Sequence, residues 1–516
     1  MHRAPVIVVG AGVGGLAAAV ALAAQGEAVT VVERDSGAGG KLRPVQLGGQ
    51  WLDAGPTVLT LRGVFDRLFA LAGQSLDQHL VLTPLQVLAR HAWPDGSRLD
   101  LFADRQRAAE AIGALAGAQA VRQYLAFCAR TRRVFQALDG PYLQSARPNP
   151  LSLAWRCGAA GLPGLLAGQP MRSLWQSLSQ QFDDPRLRQL FARYATYGGS
   201  SPWQAPATLM LIAHVEQAGV WSVAGGMQAL ATALVALARR LGVQLRFGQG
   251  VQGLQLAGGR VSGVVLDDGQ PLPARAVVFN GDVAALASGA LGAAAQHAVA
   301  ARPVAARSLS ALTWNLVAPA RGFALLRHNV FFSADYAAEF RQLFGQQRLP
   351  AQPTVYVCAQ DRGDQPLPDD GRPERLLCLV NAPARADTHP LSDEEIAACQ
   401  SRTFDHLARL GLQLPAQAPL QLCHPPAHWA QRFPATGGAL YGQATHGWRS
   451  SFTRPTARSR LPGLYLAGGS THPGAGVPMA ALSGLQAAQA WWADRPRTTS
   501  TSPCPTAAMP GGTWTR

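Results

Sequence analysis

Lysine is almost absent. Of the 45 basic residues only Lys41 is a lysine, so the net charge of +15 over 516 residues is carried almost entirely by arginine. Charge of either sign is scarce at 15%, against 48% hydrophobic residues, which excludes a disordered polymer and provides for a large core. Cysteine is sparse as well: Cys128, Cys157, Cys358, Cys378, Cys399, Cys423 and Cys504 form no CxxC pair and no Cys/His cluster at ligand spacing. That argues against a disulfide scaffold and against a zinc or iron–sulfur centre, so no metal is expected, and a reducing, cytoplasmic setting fits best. Continuous apolar spans are missing. Residues 4–26 carry no charge but are broken by Gly10, Gly12, Gly14, Gly15 and Gly26, and residues 217–238 and 283–301 are interrupted by glycines and polar side chains. No internal repeat is present. What the arginine excess leaves open is the anionic partner, either nucleic acid or a membrane surface.

The amino-terminal residues carry the strongest signal. PVIVV at 5–9 predicts a short buried strand, GAGVGG at 10–15 a glycine turn, residues 16–25 an alanine-rich helix, and AVTVVE at 28–33 a second strand. Such a unit implies a parallel sheet covered on both faces. Gly10, Gly12, Gly14 and Gly15 satisfy GxGxxG, whose glycines allow a tight turn, close approach to a pyrophosphate and close packing of helix on strand. The amino end of the helix then receives phosphate. Glu33 stands eighteen residues after Gly15, at the end of the second strand, placed to accept ribose hydroxyls. Dinucleotide binding follows, although the motif alone does not separate FAD from a nicotinamide cofactor. Arg34, Gly39, Gly40, Lys41 and Arg43 add a second glycine pair and a basic cluster suited to the same pyrophosphate.

From about 72 to 197 the pattern turns helical, with Pro148, Pro150, Pro163 and Pro170 as breakers. A glycine turn and helix at 221–241 and strands at 243–254, 260–266 and 271–282 return to the first style. Residues 308–426 look like a second visit to the insertion, with strands at 354–358 and 376–380, before a strand at 463–467 and a helix at 480–492. The end of the chain is rich in Thr, Ser, Pro and Gly and is expected to be a disordered tail.

The series GAGVGGL, VVERDSGAGGKLR and DAGPT, together with PGLYLAGGSTHPGAGVPM at 462–479, resembles the phytoene desaturase-like branch of the flavin-dependent amine oxidase superfamily. The resemblance covers the chain up to the tail. It implies an α/β fold: a Rossmann-type FAD-binding domain built from discontinuous segments (1–71, 219–307 and 436–494), with an inserted mixed helical and sheet substrate domain (72–218, mainly helical, and 308–435) and a tail at 495–516. It further implies that Gly225, Gly226 and Met227 open a helix near the flavin, that Val251 touches the adenosine and that Asp282 lines the cofactor. Gly468 and Gly469 are expected to donate backbone N–H groups to the pyrophosphate or ribityl chain, with Pro478 and Met479 near the isoalloxazine.

DAGPTVLTLR, ARHAWPDGSRLDLF, RYATYGGSSPWQAPA, GVWSVAGGMQALA, TGGALYGQATHGW and GGSTHPGAGVPMA are most similar to the 1-hydroxycarotenoid 3,4-desaturases of purple bacteria. The implied substrate is an acyclic C40 carotenoid with a hydroxyl at C1. Hydride leaving C4 for the flavin generates an allylic cation spread over the polyene, and a proton is then lost from C3. Orientation in an apolar tunnel is then the protein's main task, which fits the lack of a catalytic triad. His472 is the first candidate proton acceptor, with Asp53 and Glu216 behind it. His472 is also, and somewhat better, read as a structural turn residue held by backbone hydrogen bonds.

A substrate insoluble in water implies that the enzyme draws it from a bilayer. Residues 157–171 are uncharged between Arg156 and Arg172, and suit a monotopic anchor with Arg130, Arg132 and Arg133 facing anionic lipid. The expectation is a cytoplasmic protein on the periphery of the inner or intracytoplasmic membrane, its flavin reoxidised by a quinone or oxygen. The alternatives are a phytoene or neurosporene desaturase or a carotenoid isomerase of the same family. A nucleic-acid binder is disfavoured, because the arginines are dispersed and no recognition motif accompanies them.

Overall fold

The structure, a computed structural model, describes residues 4–367 and 370–495; apart from Arg495, the expected tail lies outside the described residues. A parallel five-stranded sheet forms its base, in the order β3 (Gln244–Phe247), β2 (Val29–Glu33), β1 (Val6–Val9), β4 (Ala276–Phe279), β5 (Leu464–Leu466). Every residue of β2, β4 and β5 is buried, as strands covered on both faces require. Helix α1 (Val13–Ala23) is buried along its whole length, so its all-round apolarity belongs to a protein interior. Its partner is α4 (Val477–Ala493). The two backbones nearly touch: a Cβ on Gly484 would lie 2.1 Å from the Gly14 carbonyl. The chain is thus α/β, with its base assembled from segments far apart in sequence.

A second, seven-stranded sheet has the order Leu420–His424, Ser310–Pro319, Pro373–Ala382, Val355–Ala359, His328–Phe331, Val87–Ala92, Arg98–Phe102. Its pairs are antiparallel except where His328–Phe331 runs parallel to Val87–Ala92. The two strands from 87–102 were not anticipated inside a segment that reads as helical. The strand expected over 271–282 divides into Pro271–Pro273 and β4, which join different sheets.

The rest of the first insertion is helical. Its two longest members are α2 (Arg105–Leu138) and α3 (Pro150–Ala167), the latter capped by Asn149 with Pro150 in its first turn. Helix α3 packs on α2 with little else over it: Leu151, Trp155, Leu162 and Leu166 are exposed, as is Met171 beyond its end.

Burial also fixes the charge state of six histidines. Desolvation pushes His91, His328 and His424 down to about 3, and His428, His446 and His472 to about 4, from an ordinary 6.5. These six stay neutral in the fold while the unfolded chain protonates them below 6.5, so stability is unaffected above pH 7 and falls as pH drops from 6.5 toward 4. Glu339, raised by burial to about 7, and Asp53, also raised by burial, act in the opposite sense. Six groups outweigh two, each unmatched proton being worth about 1.4 kcal/mol per pH unit, less for the half-buried His428 and His446. The expected thermal midpoint is flat from pH 7 to 8 and drops steeply between pH 6 and 4.5. A midpoint that rises on acidification through this window contradicts the neutral-histidine state.

Candidate active site

One cavity of about 1030 Å³ runs between the two sheets, at the upper limit of a single small-molecule site. One end lies at the carboxyl ends of β1, β2 and β4, where an open α/β sheet receives its ligand. Gly10, Gly12 and Gly14 line it, together with Glu33, Arg34, Gly40, Lys41, Val251, Asp282, Gly469, Pro478 and Met479. The glycine turn leaves the amino end of α1 without a side-chain cap. The second glycine loop packs directly on the first: Gly39 donates to the Ala11 carbonyl at 3.0 Å, and a Cβ on Gly40 would lie 3.3 Å from the Gly12 Cα. The Glu33 carboxylate accepts the N–H groups of Ala11 at 2.6 Å and Asp35 at 3.0 Å, which pins it beside the glycine turn.

Lys41 lies half-buried in this wall. Its ammonium donates to the Leu440 carbonyl and stands 4.9 Å over the Phe433 ring. Burial lowers its pKa, with Asp282 opposing and Arg454 reinforcing the shift. Arg34 lines the cavity while donating to the Arg432 carbonyl. Asp282 caps the short helix Val283–Ala287 through the Ala284 N–H at 3.0 Å.

Six anticipated residues sit differently. Gly15 is outside the cavity, jammed between helix and strand, where a Cβ would lie 2.1 Å from the Gly10 carbonyl. Arg43 turns away from the cradle to meet His428 Nε2 at 2.7 Å and the Trp429 ring at 5.6 Å. Gly468 borders the cavity but donates its N–H to Ser483 Oγ at 2.7 Å, which leaves Gly469 as the freer donor of the pair. His472 does not line the cavity: its Nε2 donates to the Tyr142 carbonyl at 2.9 Å and its ring abuts Tyr142, a structural placement. Asp53 is likewise outside, accepting the Met227 N–H at 3.0 Å and tied through its backbone to Gln360, so it joins the two sheets. Glu216 does line the cavity, but its carboxylate accepts Tyr194 Oη at 2.7 Å and Tyr197 Oη at 2.6 Å, which leaves it poorly placed as a base.

Several cavity residues carried no motif. Arg454 is buried and donates to the carbonyls of Tyr441, Gln443 and Gly469, bracing the closing glycine segment. Arg193 donates to Tyr197 Oη at 2.9 Å beside Glu216. On the seven-stranded sheet, His328 and Tyr356 line the far wall, with Thr57 opposite them. Leu138, Leu153, Leu165, Met171, Leu209 and Ile212 form an apolar part of the lining that leads to the exposed side of α3, while Glu339, Thr354 and Asn381 add polar groups on the sheet side. Among the described residues, no group of His, Cys, Asp and Glu is arranged to hold a metal ion.

The cradle end fits a dinucleotide: glycines where a side chain would collide, a pinned carboxylate at the second strand, and an uncapped helix amino end. The model of the family described as flavin containing amine oxidoreductase matches residues 13–490. A hydroxyneurosporene desaturase of Rubrivivax gelatinosus is 52% identical over 95% of this chain and 93% of its own length. Another, of Rhodobacter capsulatus, is 44% identical over 95% of this chain and 98% of its own. Among solved structures, a putrescine oxidase variant is similar with TM-score 0.60 at 16% identity, covering 95% of this chain and 99% of its own. A putative protoporphyrinogen oxidase of Exiguobacterium is similar at 0.56 and 16%, covering 96% and 100%. With the cradle at one end of a long apolar cavity and the match spanning nearly the whole chain, the protein belongs to the flavin containing amine oxidoreductase family and is an FAD-dependent oxidoreductase.

Proposed function

We propose that the protein is a carotenoid 3,4-desaturase that introduces a C3–C4 double bond into acyclic 1-hydroxycarotenoids such as 1-hydroxyneurosporene or rhodopin. The observation that carries this reading is the cavity, which joins a dinucleotide cradle to a long apolar channel and opens beside an uncovered apolar helix. The relatives named as hydroxyneurosporene desaturases support it. In the same reading, residues 72–218 and 308–435 serve the substrate, and 1–71, 219–307 and 436–494 the cofactor.

Gly10, Gly12, Gly14, Glu33, Gly40, Lys41, Val251, Asp282, Gly469, Pro478 and Met479 hold FAD. When bound, FAD supplies the hydride acceptor. Everything else asked of the chain is placement. The apolar walls hold the polyene and keep water from the reacting carbons, and loss of hydride from C4 leaves a charge spread over the conjugated chain. The proton at C3 is then acidic enough for a weak acceptor to take it, a water at the cavity mouth or a carboxyl group of its lining such as Glu339, in keeping with His472 and Asp53 lying outside the cavity. Turnover would need an external acceptor, such as a quinone or oxygen, for the electrons that bound FAD receives.

Glu33→Ala removes the acceptor for the ribose and unpairs the Ala11 N–H. Flavin affinity is expected to fall at least tenfold, which corresponds to about 1.4 kcal/mol, read from the flavin absorbance retained on dilution. Retention equal to wild type places the ribose elsewhere. In liposomes loaded separately with 1-hydroxyneurosporene, rhodopin, neurosporene and phytoene, the hydroxylated carotenoids are expected to gain a conjugated double bond, seen as a red-shifted product spectrum. Conversion of phytoene but not of the hydroxylated compounds makes the protein a phytoene desaturase instead.

The membrane surface is the exposed side of α3. Trp155 is 83% and Met171 75% exposed, and Met171 also lines the cavity, so the patch borders its mouth. Arg132, Arg133, Arg156 and Arg172 are exposed in this region. Arg130 instead donates to the Ala167 carbonyl at 2.7 Å and ties α2 to the end of α3. No helix among the described residues is long and apolar enough to cross a membrane. The protein is expected to sediment with anionic liposomes at low salt. Trp155→Glu combined with Met171→Glu should abolish this without loss of flavin, and unchanged sedimentation of the double variant excludes α3 as the docking face.

A further inference from the structure

We propose that His328 Nε2 is the group that binds the substrate hydroxyl, with Tyr356 and Thr57 holding its ring in place. The proposal rests on the 1-hydroxycarotenoid reading above. The wall of the cavity is one face of the seven-stranded sheet. Thr313, Leu379, Tyr356 and Val330 stand in one row across four strands, and Leu377 and His328 stand two residues along on the same face. All of them border the cavity. A wall serving a plain hydrocarbon needs no histidine there, yet His328 is 3% exposed with Nε2 lacking any hydrogen-bond partner. Its other nitrogen, Nδ1, meets Tyr356 Oη at 2.7 Å, and that hydroxyl meets Thr57 Oγ1 at 2.7 Å. The ring is therefore oriented from one side and open on the other.

A buried polar atom left unpaired costs about 1–3 kcal/mol, and a site tolerates this where a ligand completes it. A hydroxyl is both donor and acceptor, so it pairs with Nε2 in either tautomer. A neutral imidazole is also the compatible choice beside carbons that develop positive charge, and burial, which pushes His328 down to about 3, keeps it neutral. Position agrees with the chemistry. C1 is two carbons from C3, so whatever binds its oxygen must stand next to the reacting bond. Thr57 lies in the segment Ala54–Val58, which lines the cavity between the cradle and the sheet, and its bond to Tyr356 places His328 at that seam. Tyr336 Oη and Thr313 Oγ1 also border the cavity without partners but have no such tether; Glu339 Oε1 is a further unpartnered cavity atom, its carboxyl held through Oε2 by Ser333 and Thr354, but it is not joined to the Thr57 seam.

The test compares 1-hydroxyneurosporene with neurosporene, measuring kcat/KM for conversion and Kd from the perturbation of the flavin spectrum. In His328→Leu the preference for the hydroxylated carotenoid should shrink at least tenfold through the hydroxylated compound alone, with neurosporene binding unchanged. His328→Gln, which keeps a donor and an acceptor, should recover part of the preference. An unchanged preference in a His328→Leu protein that retains its flavin spectrum overturns the proposal, as does loss of the preference in Tyr336→Phe but not in His328→Leu. Should His328→Leu fail to fold, a His328→Gln protein with the same preference and affinities as Tyr356→Phe and wild type also overturns it. A wild-type enzyme that ignores hydroxylated carotenoids defeats the substrate reading and this one together, whereas an indifferent His328 defeats only this one.

Discussion

The contact between α1 and α4 sets the conditions for everything else. Gly14 and Gly484 bring backbone against backbone, and a Cβ on Gly14 would sit 2.9 Å from both the Ala480 carbonyl and the Gly468 nitrogen. The first glycine motif and the closing one are thereby pressed into a single cradle although they lie at opposite ends of the chain. Because α4 starts at Val477, this contact also fixes Pro478 and Met479 at the cavity wall. A larger side chain at either glycine would spread the motifs apart, since close-packed interiors have no slack to absorb it.

The second joint is between the sheets. Asp53 accepts the Met227 N–H and its backbone exchanges hydrogen bonds with the Gln360 side-chain amide, and Thr57 meets Tyr356 two residues after Gly55 has threaded past Lys41. One short segment thus touches cofactor cradle, glycine turn and substrate wall. This explains why DAGPT is so recognisable in the sequence, although its acid serves as a brace rather than as a base.

Much of the cradle was legible because its constraints are local: strand, glycines, helix and acid fall within 33 residues, and each has a distinct steric or hydrogen-bonding reason. What was not legible depends on long-range pairing. The strands at 87–102 acquire their meaning only beside His328–Phe331, and His328 only beside Tyr356 and a threonine 299 residues from that tyrosine. Arg43 was misread for a related reason: its neighbours in sequence suggest phosphate, while its neighbours in space are His428 and Trp429. His472 sits within a flavin motif, yet its ring serves the Tyr142 carbonyl. Arg130 shows the same effect, a cation drawn to the carboxyl end of a helix rather than to lipid.

The cavity is backed by a continuous sheet and opens beside α3. A rod-shaped molecule that enters beside α3 does so end-on, and one terminus is presented to the chemistry per visit. A symmetrical rod that is to be altered at both ends must withdraw, turn around outside the protein and thread again from the opposite tip. The ratio of singly to doubly modified product then depends on how quickly a half-modified molecule is recaptured.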